Sequence, residues 1–320
     1  MCNSTTSRIF EPFMQKALRN IALVGNPNAG KTSLFNALTG MNQKVGNFPG
    51  VTVDKKTGKY LCNDGIEAQL IDLPGIYSLS PKSTDEQVSC EVLMDTSNPL
   101  HPDMIVLVLD ASNLKRNLFL ATQIIDLGLP TVIALNMHDV AEKSGISIDN
   151  VQLEALLGVP VAAINAKHKK GLEGFKNRLL DAQIGETRFY KPPGALNHTA
   201  FAKLEALIEG QTPYATFKQA VNTNKYPWLK EKLESISGVF EENKLNAKEL
   251  DILEISERYR TIGPLLSQVQ ALVHEESGPL ALTAKLDRLL THPIGGYAIF
   301  FAVFFLVFQA VFTLATIPMD

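Results

Sequence analysis

Apolar and polar positions in the first half of the chain fall into two alternating kinds of stretch. Residues 21–24, 104–109, 131–135 and 159–164 are short apolar runs, the kind buried on both faces of a parallel sheet. Between them, 33–38, 85–95, 114–127 and 171–181 carry apolar residues at helical spacing. Ser83 stands three residues before Glu86, a capping-box start for the second of these helices. Two strand-like stretches, 53–61 and 66–73, flank Asn63-Asp64-Gly65, a hairpin signal that adds one antiparallel strand at the sheet edge. Val45-Gly46-Asn47-Phe48-Pro49-Gly50-Val51-Thr52 holds too much glycine and proline for a stable element and reads as a mobile loop. The expectation is a short tail over 1–17 and an α/β domain with a mainly parallel sheet over 18–184.

The alternation stops near Lys191-Pro192-Pro193-Gly194. Beyond it, 198–207, 226–236, 247–259 and 263–274 have helical periodicity, and no stretch reads convincingly as a strand. This predicts an all-helical domain over 185–277, then an amphipathic juxtamembrane segment over 278–293. Residues 294–317 contain no charged side chain. At ~1.5 Å per residue they reach across roughly the ~30 Å hydrocarbon layer of a bilayer, so a transmembrane helix is expected there. Phenylalanine on every face argues against a buried core helix. Lys285 and Arg288 before it and Asp320 after it place the N-terminal domains in the cytoplasm. The chain stops soon after, as a fragment of a longer membrane protein would.

Composition narrows the picture further. Thirty Lys and Arg against 33 Asp and Glu give a net charge of -3, so nothing favours bulk attraction to nucleic acid. Cys2, Cys62 and Cys90 are scattered, which argues against a disulfide framework or zinc site and for a reducing compartment. Residues 1–8 lack the apolar core of a cleaved signal peptide.

The chemistry is concentrated in Gly25-Asn26-Pro27-Asn28-Ala29-Gly30-Lys31-Thr32, which fits the phosphate-loop pattern G-x-x-x-x-G-K-[ST] between a strand and a helix. That context aims backbone N–H groups, those of Ala29, Gly30 and Ser33 among them, and a helix dipole at one point. Lys31 then reaches the β/γ-phosphates and Thr32 places its hydroxyl on Mg²⁺. Asp72-Leu73-Pro74-Gly75 ends a strand as D-x-x-G, with Asp72 holding magnesium through water and the Gly75 N–H sensing a γ-phosphate. Asn136-Met137-His138-Asp139 follows a buried strand as N-x-x-D. A carboxylate at Asp139 accepts from both N1–H and the N2 amine of guanine, and adenine would leave it unpaired. Met137 stands where a lysine commonly packs along the base, so weaker affinity and faster GDP release are expected. Asn165-Ala166-Lys167 follows the last strand, with the Ala166 N–H aimed at the guanine oxygen.

Gly50, Val51 and Thr52 lie where a switch threonine closes on magnesium and γ-phosphate. Ile76 replaces the glutamine that orients water in Ras-like proteins, so charge stabilisation must come from elsewhere. Asn28 is the candidate, by resemblance to the K⁺-binding asparagine of cation-activated GTPases. His101, His138, His168 and His292 have no partners at metal-ligand spacing and read as surface or interfacial residues.

Together these motifs, with Gly46 to Thr52 and His292-Pro293-Ile294-Gly295 leading into an apolar helix, resemble the N-terminal part of the bacterial ferrous iron transporter family, FeoB. The resemblance implies a P-loop GTPase G domain, a helical domain that strengthens GDP binding and a first transmembrane helix. Its implied cofactors are Mg²⁺ and an activating K⁺, with GTP and GDP as substrate and product. Its implied setting is the bacterial inner membrane, with a small cytoplasmic accessory protein such as FeoA and a second copy of the chain as partners. Two other classes fit part of the pattern: a soluble cation-activated GTPase of ribosome assembly or tRNA modification, and a non-catalytic nucleotide-dependent docking switch.

Overall fold

The computed structural model describes residues 20–40, 43–48, 53–61, 65, 67–185, 189–208, 212–272 and 289–316. At its centre lies strand β1, Asn20–Gly25, between β4, Glu67–Asp72, and β5, Met104–Asp110, parallel to both. Strand β6, Thr131–Asn136, pairs parallel with β5, and β8, Val161–Ala163, pairs parallel with β6. The period-2 side-chain alternation of a strand splits β1 between two cores. Ile21 and Leu23 pack with Leu34 and Phe35 of α1, Lys31–Thr39, on one face. Ala22 and Val24 pack on the other, with Val88 and Leu93 of α2, Thr84–Met94, and Leu118 and Ile124 of α3, Leu114–Asp126. All four β1 side chains are fully buried, which is why 21–24 reads as an unbroken apolar run.

The expected hairpin forms between β3, Asp54–Leu61, and β4, but it does not end the sheet. Gln43–Asn47, of which Val45 to Asn47 were expected as loop, is strand β2, antiparallel to β3 from Gln43↔Gly58 to Asn47↔Asp54. The seven-stranded order is β2-β3-β4-β1-β5-β6-β8, so two strands joined through antiparallel pairing extend the parallel core instead of one. An edge position tolerates Gly46, and buried Phe48, whose N–H donates to the Val53 carbonyl at 3.0 Å, anchors the strand's end. Residues 62–64, at the expected hairpin turn, and Pro49 to Thr52 lie outside the described residues.

The Ser83 cap is present: its hydroxyl accepts from the Glu86 N–H at 3.3 Å, while the Glu86 carboxylate accepts from the Lys82 N–H at 2.7 Å. After β6 come α4, His138–Lys143, then β7, Ile146–Ile148, and α5, Asn150–Leu157, with α6, Leu172–Arg178, following β8.

The helical part contains α7, His198–Leu207, α8, Pro213–Val221, α9, Leu233–Glu242, and α10, Ala247–Val269. The stretch expected as a helix from 226 begins as a 3-10 turn, Pro227–Lys232, and only then becomes α9. The two helices expected over 247–259 and 263–274 are one, because Pro264 is accommodated inside α10. A strand not expected there, β9, Gln270–Leu272, pairs with β7. The described residues up to Ala271 form one compact unit. Its two parts share a core through Tyr214, Tyr226 and Ile262, and a buried charge chain joins them. Arg258 of α10 donates to Asp126 of α3 at 2.8 Å and to Glu254 at 2.6 Å, and Lys218 of α8 pairs with Asp251 at 2.6 Å.

In the second unit, α11, Gly295–Thr316, forms as an α-helix whose apolar side chains are exposed, Phe301 and Phe305 each by 64%. Among the described residues, however, no helix is long and apolar enough to cross a membrane. The transmembrane helix expected over 294–317 is thus seen as a helix with exposed apolar side chains, described only as far as Val311.

Candidate nucleotide-binding site

The phosphate loop runs from the end of β1 to the first turn of α1, and two of its glycines are required by space. A Cβ on Gly25 would lie 2.3 Å from the Val108 carbonyl oxygen. Gly30 has left-handed backbone, φ 93°, and a Cβ there would meet the Asn136 amide nitrogen at 2.1 Å. With Gly30 as its N-cap, α1 starts without a side-chain cap, and Thr32 and Ser33 lie exposed at its first turn. Such an uncapped start favours an anion.

Lys31 is buried, and its ammonium donates to the carbonyls of Gly25 and Asn26, each at 3.2 Å. Burial pulls its pKa down, opposed by the nearby Asp72 charge. Thr32 donates its hydroxyl proton to Asp72 Oδ2 at 2.9 Å. Burial pushes the Asp72 carboxyl up from its ordinary range, opposed by that hydrogen bond and by Lys31 and Lys56. Asp72 Oδ1 is buried and has no hydrogen-bond partner among the described residues. A hydroxyl beside a carboxylate with one free oxygen is a hard, oxygen-only donor pair, and it fits Mg²⁺.

Gly75 packs directly on the loop: a Cβ there would stand 2.8 Å from the Pro27 nitrogen. The Leu73 and Ile76 N–H groups donate to the carbonyls of Leu23 and Gly25 at 3.3 and 3.2 Å, and Ser89 holds the Pro74 carbonyl at 2.9 Å. Ile76 is fully buried in the core and cannot face a water at a γ-phosphate. Lys31, Thr32, Lys56, Asp72 and Gly75 line one cleft of about 410 Å³. Lys56 was missed in the sequence, although its place was there to find. Counting out from the hairpin turn puts Lys56 directly across from Asp72.

Asn136 organises the opposite side. Its amide donates to the Ala29 carbonyl at 2.9 Å, and its Oδ1 accepts from the Ala166 N–H at 3.0 Å. One buried side chain thus ties the phosphate loop to the Asn165-Ala166-Lys167 loop. The Ala166 N–H, expected to face a guanine oxygen, is engaged by Asn136 in this structure. Met137 takes left-handed backbone, φ 61°, and directs its methyl toward Gly30. Asp139 and Asn165 line a second cleft of about 540 Å³ with His138, His168 and Lys170. Lys167 is exposed beside it, and His138 faces Glu142 at 3.2 Å. Asn28 is exposed in left-handed backbone, φ 65°, and no hydrogen bond engages its side chain among the described residues. Gly50, Val51 and Thr52 lie outside the described residues.

The convergence of phosphate loop, D-x-x-G and N-x-x-D on one end of a parallel sheet defines a G-domain fold. A family model described as Ferrous iron transport protein B matches residues 19–179. The chain belongs to the FeoB family. It is 38% identical over 294 residues to the Fe(2+) transporter FeoB of Legionella pneumophila strain Paris, covering 88% of this chain and 37% of that protein. A Fe(2+) transport protein A/FeoB fusion protein from Porphyromonas gingivalis is 33% identical, over 94% of this chain and 37% of its own length. The chain therefore spans well under half the length of these curated relatives. Among solved structures, the cytosolic domain of L. pneumophila FeoB aligns with TM-score 0.67 at 37% identity, covering 79% of this chain and 99% of that one. A GDP-bound mutant of the S. thermophilus FeoB G-domain aligns with TM-score 0.61 at 32% identity, covering 79% and 100%. The chain thus carries the N-terminal GTPase domain of the FeoB family.

Proposed function

We propose that this chain binds GTP with Mg²⁺, hydrolyses it to GDP and phosphate with K⁺ stimulation, and thereby gates ferrous iron passage through a longer membrane transporter. The observation that carries the reading is the meeting of Lys31, Thr32 and Asp72 in one cleft, with Asn136 fastening the phosphate loop to the base-side loop. On GTP binding, Lys31 exchanges the Gly25 and Asn26 carbonyls for phosphate oxygens, a stronger charge-assisted pairing. Thr32 and Asp72, with Thr52 from the switch loop, would hold Mg²⁺, which neutralises charge on the β- and γ-phosphates when bound. Asn28 would ligate K⁺. The Gly75 N–H senses the γ-phosphate, and backbone of the switch loops orients the attacking water, since Ile76 cannot. Asp139 selects guanine.

The family's relatives named as Fe(2+) transporters support iron as the cargo, and the cytosolic-domain likeness supports a cytoplasmic location on the bacterial inner membrane. The outward-facing phenylalanines of α11 support contact with an apolar medium. The fused relative supports a small FeoA-like accessory partner. Fluorescent GTP and ATP titrations test the core of this reading. Saturable binding of GTP, exclusion of ATP and loss of binding in Lys31→Ala are expected. Normal GTP affinity in Lys31→Ala would refute the phosphate-loop assignment.

A further inference from the structure

The helical part holds a cavity of about 570 Å³, between the end of α8, one face of α9 and the start of α10. Its volume suits a small molecule, which needs a concave site with an apolar body and a few placed polar groups. Val221, Ile236 and Phe240 supply the apolar floor. Lys225 and Lys248 stand among the lining residues, and neither ammonium has a hydrogen-bond or ion-pair partner among the described residues. The one carboxylate in the wall, Asp251, is already neutralised by Lys218 at 2.6 Å. Asn222, Asn224 and Asn246 also line it, and Asn246 Oδ1 caps the start of α10, accepting from the Lys248 and Glu249 N–H groups at 3.0 and 3.3 Å. The site's residual charge is therefore positive above an apolar floor.

The same walls touch the segment that follows Gly75. The Ser80 hydroxyl donates to Asp251 Oδ2 at 3.3 Å, and the Asn222 amide donates to Ser80 Oγ at 3.4 Å. The Lys225 carbonyl accepts from the Gln87 amide of α2 at 3.0 Å. Next to Ser80, the Leu79 carbonyl accepts from the Tyr226 hydroxyl. A ligand that shifts Asn222 or Asp251 thus shifts the chain a few residues beyond the group that senses a γ-phosphate.

We propose that this cavity binds a small anion with an apolar body, and that its occupancy alters nucleotide release through Ser80. The second half rests on the GTPase reading; the first does not. The test uses the whole chain loaded with GDP and Mg²⁺, which fills the phosphate loop, and three calorimetric probes: 1-naphthyl phosphate, inorganic phosphate and 1-naphthol. Naphthyl phosphate is expected to bind one site at least about tenfold more tightly than either fragment. The double variant Lys225→Gln/Lys248→Gln should weaken it about tenfold and leave GDP affinity unchanged. Saturation should change the release rate of a fluorescent GDP by about threefold or more, and Ser80→Ala should remove that change while keeping probe binding. Wild-type binding in the double variant, or naphthol binding as tightly as its phosphate, overturns the site. Intact binding with unchanged GDP release overturns the coupling. GDP binding is measured before any probe is added, so loss of the nucleotide reading appears separately, and the double variant then decides the cavity alone.

Discussion

The phosphate side and the base side of the site are built on opposite principles. On the base side the central polar group is satisfied: Asn136 is 4% exposed, and both ends of its amide are used at 2.9 and 3.0 Å. On the phosphate side the charges are held provisionally. Lys31 spends its ammonium on its own loop's carbonyls, and Asp72 keeps one carboxylate oxygen buried without a partner among the described residues. A buried group without a partner costs about 1–3 kcal/mol, more when charged, so the phosphate side is strained in a way that a bound cation and phosphate would relieve. The base side is a fixed clamp, and the phosphate side is poised to rearrange.

The largest effect expected from breaking this division is at Asp139. Asp139→Asn should lower discrimination between GTP and ATP by at least about a hundredfold, because the rejection of adenine rests on a carboxylate left unpaired against the wrong base. Competitive binding of the two nucleotides measures it, and unchanged discrimination would remove Asp139 from the base-reading role. Next come two substitutions expected to act on opposite properties. Asn136→Ala should cost about 2–4 kcal/mol of stability by denaturant unfolding, since it orphans the Ala29 carbonyl and the Ala166 N–H. Asp72→Asn should leave stability unchanged or higher, because it removes a buried charge, while cutting Mg²⁺-dependent hydrolysis by about 10–100-fold. Were Asp72→Asn the more destabilising of the two, the contrast between clamp and poised side would collapse. The smallest effect is at Met137: Met137→Lys should slow GDP release by about threefold in stopped-flow measurements, through a cation and longer stem along the base.

Most of the phosphate side was legible in the sequence because its geometry is local. Gly25 to Thr32 turn one strand into one helix, and Asp72 to Gly75 end the strand beside it. The Ser83 cap is local in the same way. What the sequence hid depends on pairing between distant segments. Asn136 reads as a base contact in isolation, and its clamp between Ala29 and Ala166 spans 107 and 30 residues. Strand β2 looked like a loop because Gly46 and Pro49 outweigh its short ladder, which only β3 stabilises. Strand β9 is three residues long and has no pattern of its own; β7, more than a hundred residues earlier, supplies its partner. Arg258 reads as a solvated helix charge until the fold brings Asp126 beside it, 132 residues away.

The most direct test of the account is the GTP hydrolysis rate of the chain in K⁺ and in Na⁺ at matched ionic strength, with Asn28→Ala alongside. A clear rise in K⁺, at least about tenfold, that disappears in Asn28→Ala is expected, since a cation beside the phosphates replaces the charge an arginine would supply. Equal and very slow turnover in both salts would contradict it, and the chain would then be a nucleotide-binding switch without its own catalytic cation.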